Sequence, residues 1–513
     1  MEKLYNNIML PDDFACEMSS PQNVPYLKTP PEVINITVGR QLFVDDFLVE
    51  ETDLVPEYHK AVKYAGNPVL KAETEWEIAQ SPVACPKSGG VWYDEEEHIF
   101  KMWYEAGWLR NMCYATSKDG IHWERPNVGE KPGTNLILTY DGYEPSKFFV
   151  DETYLRPDST TVFIDYECDR SERYKLFLRN PGGKRPGYAA VSSDGIHFRD
   201  FRPTGSVYDR TTIFYNPFRK KWVYSIREGV PTDETGKNLV RVRDYRECDN
   251  YLDGASWTGA DVHRWLTTDE LDKPNPYVGI TPELYNVDCV GYESIMLGMF
   301  QIFYGPQNKA CEETGAPKIT ELIPMYSRDG FNFSRPSRDS IINASMYKGS
   351  WDRGYVQSVG GVTIINGDEL LIYYVGFGGD ENFTHQSWIT NGMYKNGATG
   401  LAKLRRDGFV SMNGHGTLLT RKMTMSGKKE LYVNAVGKVR AEIIDNNGKT
   451  VAVSHAFDGD STKARLGFDD FVVSSLNGQV FRLKFCVEGK LYAFGFADEN
   501  GEFGGARAAG VVK

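Results

Sequence analysis

Long apolar runs are missing from this chain. No stretch approaches the roughly 18 apolar residues that a membrane-crossing helix needs, so the sequence reads as having no membrane partner. Basic charge is also short: 58 Lys and Arg stand against 70 Asp and Glu, a formal net charge of −12. That balance argues against nucleic acid and against an anionic membrane surface. Only eight cysteines and eight histidines are present. They form no Cys-x-x-Cys pair and no zinc-finger spacing, which speaks against a zinc site, and no histidine stands in a triad context. The N-terminus, MEKLYNNIMLPDDF, lacks the basic start and apolar centre of a signal peptide. With scattered, reduced thiols, the chain as given is expected in the cytoplasm, or outside it if a leader was trimmed.

What the chain does have is glycine (50 residues) and aromatics, with 30 tyrosines and 10 tryptophans. These suit β-sheets, and they suit sugar-binding surfaces, where a ring offers an apolar face and a polar edge. One short stretch recurs. Asp119-Gly120-Ile121-His122-Trp123 is followed by Asp194-Gly195-Ile196-His197-Phe198, the weaker Asp253-Gly254-Ala255-Ser256-Trp257, Asp329-Gly330-Phe331-Asn332-Phe333 and finally Asp407-Gly408-Phe409. The copies lie roughly 60 to 80 residues apart, which suggests five copies of one β unit. Asp-Gly between apolar runs predicts a two-residue hairpin turn.

Upstream of each Asp-Gly lies a second hairpin. Its strands read Gly90–Tyr93 into Ile99–Tyr104, Thr160–Ile164 into Tyr174–Leu178, Thr211–Tyr215 into Trp222–Ile226, the poorly divided Ser294–Tyr304, and Gly361–Ile365 into Leu370–Tyr374. Two hairpins per unit make four strands, the content of one propeller blade. The expected fold is therefore all-β: an N-terminal arm over 1–35, a five-bladed β-propeller over 36–412, and a C-terminal β-sandwich over 413–513. The early strand Arg40–Val49 is expected to complete the last blade and so remove an open edge. The Gly- and Ala-rich last dozen residues read as a loose tail.

Blade geometry selects site residues. In each inner hairpin the start of the first strand and the end of the second share one edge, and five such edges converge on one mouth of the central channel. The entries carry Pro86-Lys87-Ser88, Asp158, Asp209, Asp288 with Tyr292-Glu293, and Asp352 with Gln357. The exits carry Trp103-Tyr104-Glu105, Arg179, Arg227-Glu228, Tyr304 and Tyr374. Carboxylates gathered in one mouth are what cleavage of a glycosidic bond requires: one protonated to serve the leaving oxygen, one ionised to attack or to activate water. A third tunes the acid by like-charge repulsion. Arginines hold hydroxyls or a sugar carboxylate through forked hydrogen bonds.

On the five-unit layout, the Ser-x-Asp-Gly-x-x-aromatic turns (Ser117–Trp123, Ser192–Phe198) and the downstream sandwich, the chain resembles the five-bladed propeller glycosidases, the superfamily of glycoside hydrolase families 32, 43, 68 and 130. The sandwich looks most like the family 32 arrangement. The resemblance implies an acid on each of the first three blades. The family 32 first-blade Asn-Asp-Pro-Asn-Gly corresponds to Ala84–Gly89, which holds no acid; its second-blade Arg-Asp-Pro looks like Arg156-Pro157-Asp158-Ser159, and its third-blade Glu-Cys looks like Tyr208-Asp209-Arg210.

The function expected is a glycoside hydrolase that removes a terminal sugar from an oligosaccharide. Asp209 or Glu293 would be the general acid and Asp158 the base, nucleophile or transition-state stabiliser. Trp103, Tyr104, Glu105, Arg179, Arg227, Glu228, Asp288, Asp352, Gln357 and Tyr374 would bind substrate. The alternatives are a glycoside phosphorylase, with Arg179 and Arg227 holding phosphate, and a non-catalytic carbohydrate-binding or scaffold propeller. No cofactor and no metal is called for. Mouth carboxylates offer calcium the oxygen ligands it takes, yet no ligand loop is recognisable. The arm and the sandwich provide contact surfaces for a homo-oligomer.

Overall fold

The computed structural model describes the chain except residues 1, 11–15, 17–19, 79–80, 130, 140–148, 151–152, 155–157, 180–183, 235–237 and 383–390. Five antiparallel sheets form the blades of a propeller. Blade 1 holds Val91–Asp94 with Ala84–Cys85, then Ile99–Ala106, Asn111–Ser117 and Leu136–Thr139. Blade 2 is Asp158–Ile164, Tyr174–Arg179, Arg185–Ser192 and Arg199–Val207; blade 3 is Thr212–Asn216, Lys221–Pro231, Leu239–Cys248 and His263–Leu266. Blade 4 runs Glu283–Glu293, Ile295–Gly305 and Ile319–Ser327. Two isolated bridges, Leu322 with Ile342 and Tyr326 with Ser334, lie on its outer side. Blade 5 runs Gly354–Ser358 and Ile364–Asn366, Glu369–Phe377 and Gly397–Arg405.

The recurring Asp-Gly stretches lead the chain out of the third strand of a blade, and they are built differently from the two-residue hairpin expected. In the first, Gly120 alone takes positive φ, at 75°. Ser117 Oγ accepts the Gly120 N–H at 2.9 Å, while Asp119 Oδ1 accepts from Ile121 and His122 at 2.9 and 2.8 Å. The same side-chain scaffold recurs at Ser192/Asp194 and at Ser327/Asp329. Short polar side chains that satisfy nearby backbone donors hold such a turn rigidly.

A rigid turn is a good seat for a neighbour. Tyr373 of blade 5 donates to the Gly120 carbonyl at 2.7 Å, and a Cβ on Gly120 would lie 2.4 Å from that hydroxyl. Trp103 of blade 1 donates its indole N–H to the Gly195 carbonyl of blade 2 at 2.7 Å. Trp265 of blade 3 donates to Phe331 of blade 4 at 2.7 Å, and Tyr292 of blade 4 to Asp407 of blade 5 at 2.5 Å. The degenerate copy sits in blade 3, where Tyr251 stands in the serine's place. Its hydroxyl reaches back to the Leu176 carbonyl of blade 2 at 2.6 Å. Every blade boundary thus has an aromatic hydrogen bond across it.

Chain ends finish the ring, though not with the segments the sequence suggested. Val62–Lys63, and not Arg40–Val49, forms the outer edge of blade 5 by pairing with Ala402 and Lys403. Gln41–Leu42 pairs instead with Ala493 and Phe494 in the C-terminal sheet. The last residues are not loose: Ala506–Arg507 pairs with Tyr292 and Glu293 of blade 4, and Val511–Val512 runs parallel to Ile365 and Asn366 of blade 5. Both attachments satisfy inner-strand backbone that would otherwise be an open edge.

Beyond the blades, strands from Ile34–Tyr58 and from Val410 onward join one ten-stranded sheet. Its long strands Glu430–Asp445 and Phe481–Ala497 pair along almost their whole length. Four glycines lie in register across it: Gly414 opposite Gly489, Gly489 opposite Gly437, and Gly437 opposite Gly459. All four have positive φ (142°, 137°, 91° and 150°), which L side chains rarely adopt. A Cβ at Gly437 or Gly489 would come within 2.3 or 2.2 Å of a facing carbonyl. The row is a crease. Its sheet has its own apolar core, including Leu431, Val433, Phe485 and Phe494, separate from the cores of the blades.

An ionic knot joins the two parts. Arg40 donates from its guanidinium to Asp407 at 2.7 Å and to the Thr462 carbonyl at 2.8 Å, and its backbone N–H meets Glu293 at 3.0 Å. Asp407 also accepts from Asn434 at 3.1 Å, and Arg406 bonds Glu293. Desolvation pushes the Asp407 carboxyl upward, but Arg40 and Arg406 outweigh it and hold it below the usual range. Removing one partner of a buried pair strands the other charge, a cost of about 3–5 kcal/mol. Asp407→Ala is therefore expected to lower unfolding free energy by that amount in urea titration. Tyr373→Phe, which deletes one hydrogen bond, should cost about 1 kcal/mol. An unchanged urea midpoint for Asp407→Ala would contradict the knot.

Candidate active site at the propeller mouth

The mouth is made by strained strand entries. Lys87, Ser159, Arg210 and Tyr355, at the inner edges of blades 1, 2, 3 and 5, are non-glycine residues with φ of 43°, 52°, 60° and 50°. Such backbone costs of order 1–3 kcal/mol per residue and persists only where its surroundings hold it. Here they do: the Arg210 N–H donates to Ser159 Oγ at 2.6 Å, its carbonyl accepts from Arg243 at 2.5 Å, and the Tyr355 N–H donates to the Lys318 carbonyl at 2.5 Å. Register shifts between Asp158 and Thr161, Leu284 and Asn286, and Gly354 and Gln357 mark the same entries on blades 2, 4 and 5. A bulge re-aims side chains.

Inside the mouth the channel wall is polar. Asp288 Oδ2 accepts from Asn286 at 2.8 Å, from Ser88 at 3.5 Å and from Ser358. Arg243, fully buried, bonds the carbonyls of Arg210, Ser225 and Tyr285 and the Asn286 side chain. On the blade 1 side, Lys87 Nζ meets Glu105 at 2.5 Å and lies 3.7 Å from the centre of the Trp108 ring, while Glu105 also accepts the Leu109 N–H. Lys318 sits among Tyr285, Tyr355 and Tyr394 at 5.6, 5.4 and 5.8 Å from their ring centres.

Asp209 is the most accessible carboxylate described in this group, with its side chain 45 % exposed and 3.5 Å from Arg227. Burial pushes its carboxyl upward, but Arg227, Arg179, Arg241 and Lys318 outweigh that and hold it below the ordinary aspartate value. It is an ionised group in a field of cations. That state suits a base, a nucleophile or an electrostatic stabiliser, and it opposes the general-acid role expected from the sequence.

The predicted residues separate into those at the mouth and those elsewhere. Asp158 opens blade 2 and its backbone pairs with Arg179; its side chain, and Arg156 and Pro157, lie outside the described residues. Asp209, Arg179, Arg227, Glu105 and Asp288 belong to the mouth and its channel, and Gln357 is buried in the inner strand of blade 5. Glu228 lies beside them, paired with Lys184. Glu293 does not. It ends the strand Glu283–Glu293 at the hairpin turn, and ten residues at about 3.3 Å each put it on the opposite face of the ring. There it belongs to the knot with Arg40 and Arg406. The apolar run Ser294–Tyr304 is not a whole hairpin: Ile295–Gly305 is one strand, and its partner is the polar run before it.

Four more expectations are corrected. Trp103 and Tyr104 are 0 % and 1 % exposed. Trp103 serves the Gly195 lock, and Tyr104 donates to Glu77 at 2.7 Å, away from the channel. Asp352 bonds Lys63 of the ring-closing strand at 2.7 Å, and Tyr374 donates to Asp352 at 3.3 Å. Consecutive strand residues point to opposite faces, so a strand exit in sequence did not mean a side chain in the mouth. Arg210, Arg241, Arg243 and Lys318 were missed. Arg210 stood next to Asp209 in the sequence, and its neighbourhood was the available signal.

Among the described residues no group of three or more His, Cys, Asp or Glu is placed to hold a metal ion. A cavity of about 690 Å³ opens on the far face, lined by Trp92, Phe163, Tyr166 and Tyr215 and by the C-terminal residues from Gly504.

No protein-family model matches the chain, and no curated protein matches it in sequence. Among solved structures it is similar to an N-acetylgalactosamine deacetylase from F. plautii, at 14 % identity over 70 % of this chain and 96 % of that one, with a TM-score of 0.42. It is likewise similar to a glycoside hydrolase family 43 arabinoxylan arabinofuranohydrolase from Bacillus subtilis (12 %, 86 % and 99 %, TM-score 0.37). A third is a β-1,2-mannobiose phosphorylase from Listeria innocua (12 %, 67 % and 96 %, TM-score 0.40). The one of these three whose family is given belongs to family 43, not to family 32. The class defined by this chain's own strand pairing is a five-bladed β-propeller protein.

Arg227→Gln removes the cation nearest Asp209. Carboxyl-detected NMR titration should show Asp209 ionising below 3.8 in the wild type and closer to it in the variant. Stability that Asp209 lends is then present above its unfolded value and lost as pH falls through the lower folded one. A wild-type value at or above 3.8 would contradict the cationic field.

Proposed function

We propose that this protein is a carbohydrate-active enzyme that cleaves a glycosidic bond at the propeller mouth, with Asp209 as the ionised carboxylate and Asp158 as its partner. One observation carries the reading. The Arg210 N–H bonds Ser159 Oγ at 2.6 Å, so the entries of blades 2 and 3 touch. Asp158 and Asp209 each stand one residue before that contact, Asp158 at the start of the blade 2 inner strand and Asp209 in the turn that leads into the blade 3 inner strand. Two carboxyl groups in different electrostatic settings are the elements of glycoside chemistry, since one must donate a proton while the other stays charged. The cations around Asp209 keep it in the charged form, which leaves the proton-donating role to Asp158. As Asp158 protonates the leaving oxygen, the ionised carboxylate would either activate a water that attacks the anomeric carbon, or attack that carbon itself to form a glycosyl-enzyme that water then hydrolyses.

Phosphorolysis is the second reading. It is favoured by the cations around Asp209, which would accept phosphate in place of water.

Purified protein should therefore be screened on aryl glycosides and oligosaccharides with and without phosphate. Asp158→Asn and Asp209→Asn are each expected to lower turnover by about 10²–10⁴-fold. Glu293→Gln should leave turnover near the wild-type rate while lowering the melting temperature, because Glu293 serves the interdomain knot. Phosphate dependence separates the two reactions. Turnover that survives both aspartate variants, or that is lost in Glu293→Gln without loss of fold, would overturn the assignment. Binding of sugar with no turnover would leave a carbohydrate-binding propeller.

A further inference from the structure

The mouth contains buried polar groups that nothing in the described protein satisfies. Arg210 is 4 % exposed, yet Nε, Nη1 and Nη2 all lack a hydrogen-bond partner. Gln357, 0 % exposed, has neither its side-chain oxygen nor its nitrogen bonded, and Asp288 Oδ1 is also unpaired. Leaving a buried donor unsatisfied is costly, and more so for a charged group. Native proteins keep few such groups, and those they keep call for an explanation.

Arg210 is the most unusual of them. Its backbone is fixed on both sides, the N–H by Ser159 and the carbonyl by Arg243, in a left-handed conformation that a long side chain rarely takes. Its guanidinium is thereby presented with no acceptor among the described residues. The surrounding charge does not provide one either. Arg243, buried beside it, spends its hydrogen bonds on carbonyls and on Asn286 and on no carboxylate. Burial first and Arg210 second depress the pKa of Arg243, a sign that the two cations repel each other. Arg241 is already matched with Glu283 at 2.8 Å. Asp288, a carboxylate of the wall, directs its bonded oxygen to Asn286, Ser88 and Ser358.

We propose that the Arg210 guanidinium, with the Gln357 amide beside the channel, binds an oxyanion carried by the substrate or entering with it: the carboxylate of a sugar acid, or a phosphate. A guanidinium offers its donors as a rigid fork that matches both groups bidentately, and charge-assisted bonds of this kind are about twice as strong as neutral ones. The anion would also offset part of the charge of the buried pair Arg210 and Arg243 and relieve the cost of keeping them together. This inference rests on the mouth being the sugar site, and it adds the charge of what that site accepts.

Titration calorimetry on the full chain tests it with three probes: D-glucuronate, inorganic phosphate and D-glucose. At least one anion should bind more tightly than glucose by about tenfold or more, and Arg210→Met should abolish that preference. Arg210→Lys keeps the charge but loses the fork, and should bind at an intermediate level. Gln357→Leu is a second probe on another blade, and it should weaken the same anion. Circular dichroism melting confirms which variants are folded. Glucuronate alone identifies a sugar acid, and phosphate alone identifies a phosphate co-substrate or phosphosugar. Anions binding no better than glucose, or binding equally in folded Arg210→Met and Gln357→Leu, would overturn the inference. Turnover of neutral aryl glycosides is scored separately. If they are cleaved while no anion binds, the glycosidic function stands and the oxyanion site falls; if an anion binds through Arg210 while no glycoside is cleaved, the reverse holds.

Discussion

The hydrogen bond from one blade's aromatic residue to the next blade is what the propeller depends on. Trp103 to Gly195, Trp265 to Phe331, Tyr292 to Asp407 and Tyr373 to Gly120 each join a blade to a turn of the following one, and Tyr251 crosses the remaining boundary in the opposite sense. A single such bond contributes only about 1 kcal/mol. Five around a closed ring fix the angular position of every sheet, because no blade can rotate without breaking a bond on each side. Three of the turns that receive them are stiff, since Ser and Asp side chains occupy their own backbone donors. The motif that repeats through the sequence is thus an assembly device.

Closure then determines the mouth. A ring built from consecutive blades has one seam, and here Val62–Lys63 on blade 5 and the C-terminal strands on blades 4 and 5 cover it. The interdomain knot around Arg40 and Asp407 anchors the same region to the creased sheet. With the blades held, the inner-strand entries are forced to meet, and four of them carry left-handed non-glycine residues. Strain of that kind is retained where the rest of the structure over-determines the backbone. It aims Arg210 from blade 3 into the channel.

Much of this architecture was legible in the residues. Five Asp-Gly stretches and four apolar hairpins point to the blade count, because turn chemistry and strand period are local. The idea that entries and exits share an edge also follows from hairpin geometry, and Asp158 pairing with Arg179 and Ala84 with Ala106 show it. What was not legible is which way a side chain points. Trp103 and Tyr104 are adjacent, and both face away from the mouth. In blade 4 the polar residues Asn286 and Asp288 interrupt the apolar run, so the inner strand was passed over and Glu293 was assigned to the wrong end of the ring. The inner strand carries Asn286 and Asp288 because they bond each other and the Ser88 and Ser358 hydroxyls of blades 1 and 5, which makes it look less like a strand. The seam was equally invisible, since Val62–Lys63 and Val511–Val512 are two-residue strands whose pairing is set by distant partners.

The measurement that bears most directly on this account is a crystal structure of the full chain soaked with D-glucuronate, and a second with phosphate. The account predicts density for one of these anions against the Arg210 guanidinium, with the Gln357 amide of blade 5 as its second donor. Density confined to the far-face cavity beside Trp92 and Tyr166, with Arg210 turned onto a protein acceptor, would contradict it.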